Sequence, residues 1–197
     1  SLIGAIYAYD SNSMELEWTA FLLEKDSLFD YGMFTAFTGM GVAKGDKLEE
    51  FVKSKVPVVN IENLKIPFAA VATDLNRGTR VVLDRGPVAR AVRASCAIPG
   101  VFPPVCIDGR DLIDGGVANN TPISTAIRLG ARRILVLPTG FACALKRVPG
   151  SAIGQALHAL SLLVARQLVH DIERYAGDAA LHVVPPLCPV DTSPYDY

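Results

Sequence analysis

The sequence is short of the groups that most hydrolytic and metal chemistry relies on. Its 197 residues include only three histidines, His158, His170 and His182. The four cysteines, Cys96, Cys106, Cys143 and Cys188, stand apart, with no C-x-x-C pair and no histidine at ligand spacing, so neither a metal nor a disulfide framework is expected. Four unpatterned thiols in a chain of this size read as reduced and mostly buried, which fits an intracellular setting. Positive charge is also in short supply. The formal net charge is -1 and no basic stripe stands out, so nucleic acid is not an expected partner. Long apolar runs are missing too, despite a mean hydropathy of +0.30. Ala152 to Leu168 comes nearest to the roughly 18 to 20 apolar residues that span a bilayer. It is interrupted by Gln155, His158, Arg166 and Gln167, and reads as a buried helix or one resting at a lipid interface.

Half of the residues are apolar and a fifth charged, enough for one domain with a large core. Small residues Gly4, Ala5 and Ala8 along one side predict a tightly packed helix over Ser1 to Tyr9. Ser13 is a possible cap for a second helix, with Leu16, Thr19, Ala20 and Leu23 inward and Asp26-Ser27 as its break. Leu28 to Gly45, where aromatics and glycines alternate, reads as a connection, after which Asp46 caps a helix over Lys47 to Ser54. Strands are expected at Ile66 to Thr73 and Thr79 to Leu83, joined by the polar turn Asp74 to Gly78. Pro87 opens a helix through Ser95, which stops before Pro99-Gly100. Short strands at Val105 to Ile107 and Asp111 to Ile113 follow, then a helix from Thr121-Pro122 to Leu129. A strand at Arg133 to Leu137, a long helix from Ala152 to Tyr175 and a strand at Leu181 to Val184 complete the series. The alternation of helices with apolar strands predicts an α/β fold, a three-layer α/β/α sandwich around a mostly parallel sheet.

Asp114 draws attention within this series. It follows the apolar pair Leu112-Ile113 and precedes Gly115-Gly116, so a carboxylate sits where a strand ends and where glycine lets backbones turn or approach closely. In sheets of this kind reactive groups gather at the carboxyl ends of strands. An isolated Asp-Gly-Gly is most often a plain turn. The surrounding residues separate the two readings.

Arg93 to Pro122 runs R-A-S-C-A-I-P-G-V-F-P-P-V-C-I-D-G-R-D-L-I-D-G-G-V-A-N-N-T-P. With Ala94, Ser95, Ala97, Pro99, Phe102, Pro103 and Pro104, then Asp114, Gly115, Gly116, Asn120 and Pro122 in order, it resembles the second half of a patatin-like phospholipase domain. Ser1 to Ala8, S-L-I-G-A-I-Y-A, resembles the helix that follows the family's G-x-S-x-G nucleophile elbow. The resemblance implies one patatin-like domain over residues 1–197 that lacks its N-terminal strand, glycine-rich oxyanion loop and elbow. The nucleophilic serine would then lie about three residues ahead of Ser1. It further implies a serine acyl hydrolase acting on lipid or ester substrates through a Ser-Asp dyad, with no cofactor and no metal. Asp114 would be the base, and the segment alone inactive.

The histidine census agrees with a dyad, since His158 and His170 fall inside the predicted long helix and His182 flanks a strand, whereas a triad histidine is usually carried on a loop. A carboxylate with an ordinary pKa of about 3.9 is a poor base at neutral pH, so the site must be dry enough to raise it. Gly115 and Gly116 would form the turn, and Ser95, Pro99, Phe102 and Asn120 are candidate pocket residues. Phe102 with Pro103-Pro104 would shape a wall, and Asn119 and Asn120 would hold the loop through backbone bonds. Arg90 and Arg93 could meet a phospholipid head group, but solvation or pairing with an acid is the commoner fate of such residues. Two alternatives stay open. A non-catalytic lipid-binding or regulatory module of the same fold would lack the serine. An N-terminal nucleophile at Ser1 would sit on a strand, where a helix is predicted. The expected location is cytoplasmic or membrane-peripheral, with transient membrane-surface contact.

Overall fold

Two tight connections set the direction of the main sheet. The computed structural model describes residues 1–23, 28–30, 43–138 and 149–185. In it β1 (Ala70–Asp74) turns directly into β2 (Arg80–Leu83), and β3 (Val105–Ile107) into β4 (Arg110–Asp114). Between β3 and β4 stand Asp108 and Gly109 with φ of 50° and 71°, the two left-handed residues that a two-residue hairpin turn requires. A parallel crossover needs about a dozen residues or more, so both connections force antiparallel pairing. β1 and β4 are antiparallel as well, with Ala72 opposite Asp114 and Thr73 opposite Ile113, and the strand order is β2-β1-β4-β3.

This sheet departs from the expected parallel order. Among the described residues, parallel pairing is found between β5 (Arg133–Val136) and β6 (Ala180–Val183). The fold is α/β with both kinds of pairing. Alternation of helix and strand misled the expectation because two of the connections contain no helix.

The chain divides into two compact units, Ser1–Ala118 and Asn119–Tyr197. In the first, α1 (Leu2–Tyr9), α2 (Ser13–Phe21), α3 (Asp46–Lys55) and α4 (Val88–Ser95) accompany the four-stranded sheet. Pro87, which cannot continue a preceding ladder, stands at the start of α4. Val88, Ala89, Ala91, Val92 and Ala94 then recur at helical spacing and are buried. One core joins Ala5 and Ile6 of α1, Leu48 and Val52 of α3 and Val92 of α4 to Ala70 of β1. A second gathers Ala72, Ala94, Ala97, Phe102, Val105 and Leu112. Leu112 is 1% exposed, and truncating such a residue to alanine costs about 2 to 5 kcal/mol.

Two helix starts differ from expectation. The cap of α2 is Asn12 and not Ser13, its Oδ1 accepting the N–H of Met14 at 3.1 Å. The start of α3 is held from a distance. Gly45 occupies the cap position with φ of 84°, and the Asp30 carboxylate accepts the N–H groups of Gly45 at 2.8 Å and Asp46 at 3.0 Å. Burial pulls the Asp30 pKa up, yet these bonds prevail and leave it below its ordinary 3.8.

The second unit holds α6 (Ile123–Arg128), β5, α7 (Ala152–Tyr175) and β6. A four-residue helix, α5 (Gly116–Asn119), leads into it. Ser151 caps α7 by accepting the Gly154 N–H at 3.0 Å. The stripe Leu168, Ile172 and Tyr175 packs with Ile123, Ile134 and Leu181, while Leu162, Leu163 and Val169 are exposed. Asp26-Ser27, most of the aromatic and glycine stretch, Cys143, Cys188 and the polar tail lie outside the described residues.

Candidate active site

Asp114 is the last residue of β4, and the backbone around it is fully engaged. Its N–H donates to the Ala97 carbonyl at 2.9 Å, and its carbonyl accepts the Thr73 hydroxyl at 2.8 Å. The chain then turns through Gly115 and Gly116, and the Gly116 N–H donates to Asp114 Oδ1 at 2.7 Å. This is the side-chain to backbone bond that makes Asp-Gly-Gly a turn.

Gly115 owes its identity to space. A Cβ there would meet the carbonyl of Val71 on β1, with the carbonyl carbon at 2.7 Å and the Ala72 nitrogen at 3.3 Å. The close approach has a second consequence. Alternate residues of β1 direct their backbone groups to β2 and β4, so where β4 turns away the Val71 carbonyl needs another donor. Ser95, the last residue of α4, supplies it, its hydroxyl donating to that oxygen at 2.6 Å. Ser95 thus ties the helix to β1.

The electrostatics of Asp114 follow from this packing. Burial raises its carboxyl above the ordinary 3.8, and the Gly116 N–H opposes the shift without cancelling it. Ser1 meets the end of α4 although it is remote from it in sequence. Its hydroxyl lies 3.3 Å from the Cys96 thiol at the end of α4, and burial pushes that thiol up as well. The start of α1 thus meets the end of α4, and the residue just beyond that end holds the backbone of Asp114. A carboxylate held this way keeps its proton to higher pH and, once ionised, is a stronger base than a solvated one.

The other predicted residues are more scattered. Pro99 is half-buried in the turn after α4, and Phe102 faces the core, stacked on Phe29 with ring centroids 5.3 Å apart. Asn120 is exposed and belongs to the second unit. Asn119 donates to the Asp171 carboxylate at 3.1 Å in place of a backbone partner. Arg93 bonds Asp46 and Glu49, each at 3.0 Å, and Arg90 donates to the Cys106 carbonyl at 2.7 Å, so both arginines tie elements together. His170 and His182 are exposed and His158 is half-buried, all three in the second unit. Sequence reasoning passed over Thr73, whose hydroxyl also accepts the Ala118 N–H at 3.2 Å. A hydroxyl in the otherwise apolar run Ala69 to Thr73 was the available signal.

These features define an α/β protein with a desolvated carboxylate at a glycine turn beside the start of a helix. The family model of the patatin-like phospholipases matches residues 1–127. The chain belongs to the patatin-like phospholipase family. An uncharacterized NTE family protein of Mycobacterium tuberculosis is 36% identical over 124 residues, covering 63% of this chain and 34% of the relative. Human patatin-like phospholipase domain-containing protein 6 is 31% identical over 150 residues, 71% of this chain and 10% of that protein. A lysophospholipase of Mycosarcoma maydis is 25% identical over 142 residues, 71% of this chain and 8% of that protein. The chain thus spans about a third of the first of these relatives and a tenth or less of the other two. No helix among the described residues is long and apolar enough to cross a membrane.

Proposed function

We propose that this chain carries the base of a serine acyl hydrolase that cleaves lipid or other carboxylic esters. The observation that carries the reading is the Asp114 carboxylate, set at the glycine turn that ends β4 and lifted by burial. In this reading the nucleophilic serine lies about three residues ahead of Ser1, in an elbow that feeds α1. Asp114 takes the serine proton as the serine oxygen attacks the ester carbonyl, and a glycine-rich loop ahead of the elbow holds the oxyanion. Collapse expels the alcohol, which receives the proton from Asp114. Water then gives a proton to Asp114 and attacks the acyl-serine, and collapse frees the acid as Asp114 returns the proton to the serine oxygen. No cofactor is needed for these steps.

The whole domain is read as a single patatin-like unit, a three-layer α/β/α sandwich. The reading places the protein in the cytoplasm or at a membrane periphery, with transient contact to the lipid surface. The names of the relatives, a phospholipase-domain protein and a lysophospholipase, support lipid substrates. The test is turnover of short p-nitrophenyl esters and phospholipid vesicles by the full-length protein, beside its Asp114→Asn variant. Loss of turnover in the variant supports the assignment, and unchanged turnover overturns it.

A further inference from the structure

Resting on the reading of Asp114 as the base, we propose that Thr73 is a positioning residue that sets the carboxylate for proton transfer. Thr73 lies on β1 opposite Ile113, one register step from the Ala72 and Asp114 pair, and is 1% exposed. Its hydroxyl has one proton and gives it to the Asp114 carbonyl at 2.8 Å. The same oxygen accepts the Ala118 N–H at 3.2 Å. One atom on a neighbouring strand therefore grips both ends of the turn Asp114 to Ala118. Between those ends lie Gly115, pressed on the Val71 carbonyl, and Gly116, whose N–H holds Asp114 Oδ1. The bond to the Asp114 carbonyl fixes the peptide plane after the residue, and the bond from Ala118 fixes where α5 begins. Together they set where Gly116 presents its N–H, and so the direction of the carboxylate. Packing alone does not call for a hydroxyl here, since valine has nearly the same shape and suits a buried strand. Valine can bridge neither group, and the turn would keep the Gly116 and Ala97 bonds and the Ala118 N–H on the Gly115 carbonyl, with nothing tying it to β1 at this residue.

The experiment uses the full-length protein that contains this chain. Thr73→Val, Thr73→Ser and Asp114→Asn are compared for kcat and KM on a p-nitrophenyl ester, with thermal unfolding recorded for each. A displacement of about 1 Å in a catalytic group costs on the order of 100-fold, so Thr73→Val is expected to lose about 10- to 100-fold in kcat with KM kept within about twofold. Thr73→Ser keeps the hydroxyl and is expected to recover most of that loss. If Thr73→Val does not fold, Thr73→Ala, which also lacks the hydroxyl, is compared with Thr73→Ser. Undiminished kcat without the hydroxyl, a change confined to KM, or equal losses in the serine and hydroxyl-free variants would each overturn the proposal. Asp114→Asn separates the two levels. If it stays active the base assignment fails, whereas an inactive Asp114→Asn beside a fully active Thr73→Val sinks the Thr73 proposal alone.

Discussion

β1 and β4 lie side by side and each ends in an aspartate, yet the two carboxylates are held in opposite ways. Asp74 is 1% exposed and accepts the N–H groups of Asn76 and Arg77 and the Arg77 guanidinium, each at 3.0 Å. Burial pulls its pKa up, but these donors outweigh burial and set it below 3.8. Asp114 is half-buried with one backbone donor on its carboxylate, and there desolvation prevails. The first carboxylate is spent on its turn. The second is stabilised too little to be inert, and catalysis needs such a group. The number of donors, more than burial itself, separates a carboxylate with a lowered pKa from one with a raised pKa.

The largest effect that could break this contrast is on rate. Asp114→Asn in the full-length protein is expected to lower ester turnover by about 100- to 10,000-fold, the span typical of a removed general base, while Asp74→Asn leaves kcat of the folded protein near its original level. Steady-state assays of both variants decide it, and equal losses would mean that the two aspartates serve the fold alike. Next in size is Gly115→Ala. The new methyl must push β1 or the turn aside, at about 1 to 3 kcal/mol in denaturant unfolding, with activity falling alongside. Ser95→Ala leaves the buried Val71 carbonyl without its donor, at a cost of about 1 to 3 kcal/mol, and should spare kcat if the residue only ties α4 to β1.

The smallest effect is the most diagnostic. Asp114 has a raised folded pKa, so its ionised form carries a penalty that is full above that pKa and disappears as pH falls to 3.8. Asp114→Asn should therefore be more stable than the parent at pH 7, with the gain shrinking toward pH 4. Asp74 has a lowered pKa, so its stabilisation is full above 3.8 and is lost as pH falls below that value. Asp74→Asn should be less stable at pH 7, and this deficit should persist to about pH 4 and close only in stronger acid. Thermal unfolding of the three proteins from pH 7 to pH 3 reads both slopes. Differences of the same sign would refute the contrast.

Much of the local structure was legible because it is written in neighbouring residues. The bounds of α7, Ala152–Tyr175, coincide with the expected ones, and β1 to β6 fall within a few residues of theirs. Periodicity, Pro87 and the polar turns suffice for that. Asp114 was legible because its glycines follow it directly. Ser95 and Phe102 were read as pocket residues from the same motif, and only packing showed them tied to Val71 and Phe29. Thr73 was missed since its partners lie 41 and 45 positions away. The Asp30 cap of α3 was hidden for the same reason, being supplied from 15 positions upstream.

By itself the sequence determined which segments become helix or strand and that a carboxylate stands at a glycine turn, because capping, hydrophobic period and turn chemistry act over a few bonds. It also placed the chain among the patatin-like proteins. The tertiary structure decided strand direction in the main sheet, the need for glycine at 115 and the raised pKa of Asp114. Each of these depends on which backbone or solvent meets a group across the fold, and that is settled only when β1, β4, α4 and the start of α1 come together.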